Sequence, residues 1–388
     1  MFAKCFSVVL FLSSLSLSQI SPTSTVPPSR LAHLRHGINL SEWFAQVYDP
    51  RGYTKEHFQT WTTSADIALI KSAGFDHVRL SVNPQPMMNA LNRHDVGADY
   101  FGYLDAAVRM ILDAGLAVEL DMHPDSDFKA RLAKEDGAVE RFADFWRTVA
   151  QHYSSWDPES VTFEILNEPE FHDPYRWYGV EAKLAAAIRQ AAPSHTILAP
   201  GARWDDDDDM IFLEPLRDPN VIYVFHFYEP HIFTHQGATW GDYYWHWLSH
   251  LHYPSQPANA AQVATQVPEA LDRLYVIRYG QDHWDASRVE ADINQAAEWA
   301  KHNGVPLVCN EFGVYRYGVE DGRAHGAEPQ DRSAWLTDVR TSLERHNIGW
   351  AMWDYSGGFG VVTSKDGKRV LDEGTVRALG LNLPAGQR

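Results

Sequence analysis

Residues 161–170 read VTFEILNEPE, an apolar run that stops at Asn167, Glu168 and a proline. A short apolar run bounded by turn residues predicts a buried strand, and a strand buried on both faces belongs in a parallel sheet. Seven further runs of this kind are spaced along the chain: HGINL (36–40), HVRLSV (77–82), LAVELDMH (116–123), HTILAP (195–200), VIYVFHFY (221–228), PLVCNEF (306–312) and IGWAMWDY (348–355). Between them lie amphipathic segments such as SADIALIKSAG (64–74), YLDAAVRMILDAG (103–115) and SAWLTDVRTSLERHN (333–347). Several close on Gly or Asn, as a helix C-cap does. Eight strands alternating with helices predict a single-domain (β/α)8 TIM barrel. An open doubly wound sheet is the alternative, but it wants a Gly-rich turn after the first strand, and NLSEWF (39–44) is not one.

The chain has 388 residues, 45% hydrophobic and 22% charged, which suits one large barrel. Its net charge of −18 repels phosphate backbones and anionic lipid, so neither nucleic acid nor a membrane surface is expected as a partner. A neutral substrate meets no such barrier. Fourteen Trp exceed what packing alone usually recruits, and their ring faces suit flat ligands such as sugars. The N-terminus, MFAKCFSVVLFLSSLSLSQI (1–20), has Lys4 before an apolar run from Cys5 to about Leu17. That run is too short to span a bilayer and predicts a secretory signal, residues 1–25, cut between Ser18 and Val26. The mature protein, 26–388, is then expected to be a secreted monomer, periplasmic or extracellular, with Cys309 as its remaining thiol and no internal disulfide. One connection is abnormal: from Glu229 to about Ala286 no helical pattern is evident, and TWGDYYWHWLSHLHY (239–253) crowds it with aromatics, which predicts an ordered wall beside the cleft.

In a TIM barrel, reactive residues come from the C-terminal ends of the strands. Those ends carry Arg79, His123, Asn167, Glu168, His226, Tyr228, Glu311 and Trp353. Two carboxylates facing each other across the mouth, Glu168 and Glu311, are what glycoside hydrolysis needs, with retention of configuration if they stand about 5–5.5 Å apart. Asn167 can donate to a sugar 2-hydroxyl, Arg79 and Tyr228 can keep a nucleophilic carboxylate ionised, and Trp353 can floor the central subsite. Strand parity points Glu164 into the barrel beneath Glu168 and makes Cys309, two residues before Glu311, an interior filler. Glu170 falls at the rim. The DDDDD run (205–209) is read as solvated loop and helix cap, with calcium binding or substrate contact at Trp204 as alternatives. The first strand has no His-x-His and the chain no HExxH, so no metal or cofactor is expected.

FEILNEPE (163–170) resembles the signature of the cellulase family, glycoside hydrolase family 5, whose acid/base Glu follows Asn after strand four. HGINLSEWF is similar to its first strand and loop, bringing in Asn39 and Trp43. GFDHVRLSV, DMH, FHFYEP, NEFGVY and WAMWDYSGGFG resemble its later strand ends in order. The resemblance implies Glu168 as acid/base, Glu311 as nucleophile, and Arg79, His123, Asn167, His226, Tyr228 and Trp353 around them. Asn310 stands where many members have Gly. PHIFTHQGATWG (230–241) resembles a bacterial subset often labelled endoglucanases and places Trp240 beside the cleft. A polysaccharide or oligosaccharide is the implied partner, with an internally cut β-1,4-glucan first, and β-mannan, xyloglucan, β-1,3-glucan or a β-glucoside as alternatives. A binding barrel without turnover and a metal-dependent hydrolase are the competing classes. Acid catalysis further predicts a Glu168 pKa raised by the nearby nucleophile.

Overall fold

The computed structural model describes residues 24–384, apart from 94–96, 213 and 321. Residues 1–23, where the signal peptide is expected, lie outside the described residues. Eight parallel strands close into a barrel: β1 (His36–Phe44), β2 (His77–Val82), β3 (Ala117–Met122), β4 (Val161–Glu164), β5 (Ile197–Ala199), β6 (Val221–Phe227), β7 (Leu307–Phe312) and β8 (Gly349–Met352). Each pairs with its neighbour in sequence, and β8 closes on β1. Every apolar run singled out above supplies one strand. Helices such as Ser64–Ala73, Asp136–Tyr153, Pro174–Ala191 and Ala286–Asn303 alternate with them. Gly74 and Gly304 end two of these helices at φ 104° and 67°, the left-handed C-cap that a side chain with a Cβ resists. Among the described residues no helix is long and apolar enough to cross a membrane.

The tryptophans divide between two tasks. Trp43, Trp146, Trp177, Trp335 and Trp350 are fully buried, and three of them tie the helix layer to strand ends. The Trp146 indole donates to Ile165 O after β4, Trp177 to Pro200 O after β5, and Trp335 to Glu229 O after β6. Those carbonyls lie where the ladder has run out of partners, so a buried N–H from the helix side satisfies them. Much of the Trp excess is therefore scaffold that fixes the loops, rather than sugar platform.

Residues Glu229 to Ala286 hold more structure than the sequence pattern suggested. Short helices occupy His231–Thr234, Pro257–Ala264 and Ala270–Gln281. The last of these escapes notice because its apolar residues do not keep to one face: Val276 and Tyr279 are buried while Leu271, Leu274 and Tyr275 are exposed.

A β-bulge corrects the parity argument on β7. Phe225 pairs with Cys309, yet the next residue, His226, pairs with Glu311, so Asn310 is an extra residue. Val308 joins Leu198, Ile222 and Val224 in the cluster that fills the lower barrel, together with Val26 and Leu34. The Asn310 side chain also turns inward, and Glu311 after it. Cys309 is not an interior filler: it belongs to the apolar layer between barrel and helices.

The barrel wall is tight where β1 passes between its neighbours. A Cβ on Gly37 would lie 2.1 Å from His77 Nε2 and 2.7 Å from Ala351 Cβ, and His77 is fully buried with Nδ1 bonded to Asp76. Gly37→Ala is therefore expected to lower stability by about 1–3 kcal/mol. Urea unfolding checks this, and an unchanged midpoint would refute it.

Candidate active site

Arg79, on β2 and fully buried, is the centre of the barrel mouth. Its Nε and Nη2 grip Glu164 at 2.6 and 2.8 Å, and Nη1 donates to Glu311 Oε1 at 2.5 Å and Asn39 Oδ1 at 2.9 Å. Nη2 also donates to Asn167 Oδ1 at 2.9 Å and lies 3.2 Å from Asp121. One planar fork thus joins residues of β1, β3, β4 and β7. Burial opposes the Arg79 charge, but the carboxylates of Asp121, Glu164 and Glu311 more than restore it. The second Glu311 oxygen accepts from Tyr228 Oη at 2.9 Å.

Glu164 is the buried support expected beneath Glu168, although alternation does not set the relation. β4 ends at Glu164, and Glu168 lies beyond it at φ 45°. Asn310 Nδ2 donates to Glu164 at 3.0 Å and to Glu119 at 2.9 Å. Burial and the adjacent Glu164 push the Glu119 carboxyl well up.

Asn167 Oδ1 is taken by Arg79, so its Nδ2 must face His123 Nε2, 3.3 Å away. His123 Nδ1 donates to Asp121 at 2.8 Å, and its ring stacks on Trp353, with centroids 5.6 Å apart and planes at 17°. These groups leave Trp353 facing an open cleft of about 1630 Å³.

His226 sits between the two candidate catalytic carboxylates. Its Nδ1 is 3.1 Å from Glu168 Oε1 and 3.5 Å from Glu311 Oε2. An oxygen of each carboxylate and a ring nitrogen of His226 all lie within 4.8 Å of one another. Burial would lower the His226 pKa, but Glu311, Asp205 and Glu168 lift it to about 9. Burial would raise Glu168, but the His226 hydrogen bond and charge bring it down to about 2. This reverses the raised acid expected from the sequence, which assumed two carboxylates with nothing between them. In the open site the Glu168–His226 pair carries one proton, and it rests on the ring.

The sequence profile of one family, described as Cellulase (glycosyl hydrolase family 5), matches residues 42–358. The chain belongs to glycosyl hydrolase family 5. It is therefore a glycoside hydrolase. Endoglucanase C of Acetivibrio thermocellus is 29% identical over 349 residues, 88% of this chain and 97% of that protein. Endoglucanase 3 of Fibrobacter succinogenes is 27% identical over 383 residues, 94% of this chain and 55% of that protein. Among solved structures, endoglucanase Cel5A from the hyperthermophilic Thermotoga maritima shares 25% identity and a TM-score of 0.71, covering 90% of this chain and 98% of that one.

Within this family 5 barrel, Arg79, Asn167, Glu168, His123, His226, Tyr228, Glu311 and Trp353 converge at the mouth. Trp240, half exposed, lines the cleft and packs edge-on against Tyr315. One expected residue lands elsewhere, and Asn39 meets Arg79 instead of the open cleft. Trp43 is buried and donates to Phe58 O at 2.8 Å, because a register shift between Leu40 and Phe44 turns it out of the barrel toward the Lys55–Thr60 helix. Asn39 does not line the cleft: its Nδ2 donates to Asn310 O and Met352 O, locking β1 to β7 and β8 from inside. Glu170 is at the rim as expected, held by Ser126 and Lys129.

The DDDDD run is not uniformly solvated. Asp206 caps the Asp207–Met210 helix, Asp209 pairs with Arg203, and Asp205 is fully buried beneath Glu168. Trp204, 51% exposed at φ 50°, lines the cleft next to it. The signal that could have separated these acids is the strand end: Trp204 and Asp205 follow β5 as Asn167 and Glu168 follow β4.

Removing Arg79 would leave Glu164 and Glu311 buried without their cation. Arg79→Met is expected to destabilise the fold by about 3–5 kcal/mol, read by urea unfolding at neutral pH. The Glu168–His226 pair makes a pH-dependent contribution. His226 is lifted above its ordinary 6.5, so that contribution is complete below about pH 6.5 and is lost as pH rises through about 9. Glu168 is lowered from 4.5, so it is also lost as pH falls from 4.5 through about 2. His226→Gln should therefore flatten the stability profile between pH 6.5 and 9; an equally steep decline in the variant would show that another group is responsible.

Proposed function

We propose that this enzyme cuts internal β-1,4-glucosidic bonds of a β-glucan with retention of configuration, using Glu311 as nucleophile and Glu168 as acid/base. The observation that carries the mechanism is the carboxylate spacing. One oxygen of Glu168 and one of Glu311 lie within 4.8 Å of each other, which supports the close carboxyl pairing of retaining enzymes (roughly 5–5.5 Å between groups) over the roughly 6.5–9.5 Å that inverting enzymes need to admit a water.

In the first step a Glu311 oxygen attacks the anomeric carbon, the glycosidic bond breaks, and Glu168 delivers a proton to the leaving oxygen. Arg79 and Tyr228 hold the two Glu311 oxygens, which keeps the carboxylate aimed. The proton comes from the Glu168–His226 pair. A sugar seated over Glu168 excludes water and favours its neutral form, so the proton crosses the 3.1 Å from His226 Nδ1 to Oε1. In the second step Glu168 takes a proton from water, the hydroxide attacks the anomeric carbon, and the Glu311 ester bond breaks.

Internal cleavage is supported by the cleft, whose lining takes in Tyr48 and Tyr53 after β1, Glu168 and Glu311, and Tyr275 and Trp284 between β6 and β7. Its volume of about 1630 Å³ exceeds the roughly 300–1,000 Å³ of a small-molecule pocket and suits several sugar units. The β-1,4-glucan assignment rests on the endoglucanase names of the relatives. The same reading makes the protein a secreted enzyme that meets its polymer outside the cytoplasm.

Hydrolysis of carboxymethylcellulose, lichenan, mannan, xyloglucan and laminarin, with product sizing and NMR of the first-formed anomer, tests the substrate and the stereochemistry together. Glu311→Gln is expected to lose about 10⁴-fold or more in kcat. Glu168→Ala should lose about 10²–10⁴-fold on polymer but far less on an aryl glycoside whose leaving group needs no proton. A first-formed product of inverted anomeric configuration would overturn the mechanism, and an exclusive preference for mannan would overturn the substrate.

A further inference from the structure

Asp205 is a fully buried carboxylate on the loop after β5, within contact distance of both Glu168 and His226. Its Oδ2 accepts from the Glu168 backbone N–H at 2.8 Å and lies 3.5 Å from His226 Nε2. Its own carbonyl accepts from the His226 N–H at 2.8 Å, which ties the loop to β6. Among the described residues, neither Asp205 Oδ1 nor His226 Nε2 has a hydrogen-bond partner.

The local backbone explains why such a group is required. Glu168 stands at φ 45°, a left-handed conformation that is strained for a residue with a side chain, and its amide lies beyond the end of the β4 ladder. Trp204 and Asp205 are also left-handed, at φ 50° and 56°. That double reversal drives the Asp205 side chain inward instead of along the surface with Asp206 and Asp208. The Trp204 N–H donates to Pro169 O at 3.0 Å, so the two strand-end loops are joined on both sides of Glu168.

We propose that Asp205 is the positioning residue of the acid/base: its carboxylate fixes the turn that aims Glu168 and faces His226 Nε2, so that Nδ1 stays turned toward Glu168. The assignment rests on the reading of Glu168 as acid/base. Its electrostatic setting is consistent. Glu164 and Glu168 face Asp205 from the β4 side, Glu181 from the Pro174–Ala191 helix, and Glu311 and Tyr228 face the far side of the His226 ring. In that acidic surrounding burial, with Glu164 and Glu168 nearby, holds the Asp205 carboxyl well above its ordinary value, and His226 and the Glu168 amide offset only part of the rise. His226 in turn owes part of its raised pKa to Asp205.

Two variants separate aiming from charge. Asp205→Asn keeps an oxygen for the Glu168 amide but removes the ionisable carboxyl that faces Nε2. It is expected to lower kcat about 10-fold with KM within about twofold, and to move the alkaline limb of kcat/KM down by about one pH unit. Asp205→Ala loses the amide acceptor as well and is expected to lower kcat about 100-fold. Circular dichroism and thermal unfolding establish that each is folded; if Asp205→Asn is not, Asp205→Ser makes the same comparison with a small neutral acceptor. A folded, charge-removed variant that keeps the wild-type kcat and alkaline limb overturns the proposal, even if its melting temperature falls. If the wild type hydrolyses no β-glycan, the acid/base reading itself fails, which is a different result.

Discussion

Arg79 is a permanent positive charge placed where water does not reach, and the barrel mouth is arranged around the need to neutralise it. A buried guanidinium is tolerable only when its donors meet acceptors and its charge meets carboxylates. Glu164 takes two of its bonds, Glu311, Asn39 and Asn167 take others, and Asp121 adds charge alongside. Because those partners come from β1, β3, β4 and β7, one interaction couples strand register to the placement of Glu311. The surplus of carboxylates has its own consequence: the Glu119 carboxyl is pushed well up, and Asn310, the extra residue of the β7 bulge, donates to both Glu119 and Glu164.

The two catalytic candidates are carboxylates of the same type in opposite surroundings. Glu311 is held by a guanidinium and a phenol, fixed cationic and hydrogen-bonding partners that do not exchange protons near neutrality. Glu168 faces a histidine, whose proton is mobile. The asymmetry suits the roles proposed above, an acid that alternates between protonation states and a nucleophile that does not. Asp205 extends this on the acid side, since it touches His226 and the Glu168 backbone at once.

Most of the barrel could be read along the chain. Every strand arises from an apolar run, and residues at the strand ends meet at the mouth because the closed parallel sheet leaves them nowhere else to point. The failures were local. Trp43 looked like a cleft residue and faces a helix after a register shift; Cys309 looked interior and faces outward because Asn310 intervenes. Five consecutive aspartates looked equivalent, yet left-handed backbone at Trp204 and Asp205 sends one of them into the site. The helix Ala270–Gln281 was missed because its apolar residues face both inward and outward.

The sequence by itself determined the fold class, the family and the placing of Glu168 and Glu311 at strand ends, since hydrophobic period, strand count and residue type are properties of the chain taken in order. Only the tertiary structure decided where the proton rests, which tryptophans serve packing, and what Asp205 and Asn310 touch. Those depend on bulges, positive φ angles and the spacing of charges from different strands. A shift of one residue in register reverses a side chain, and a few ångströms decide whether His226 or Glu168 holds a proton.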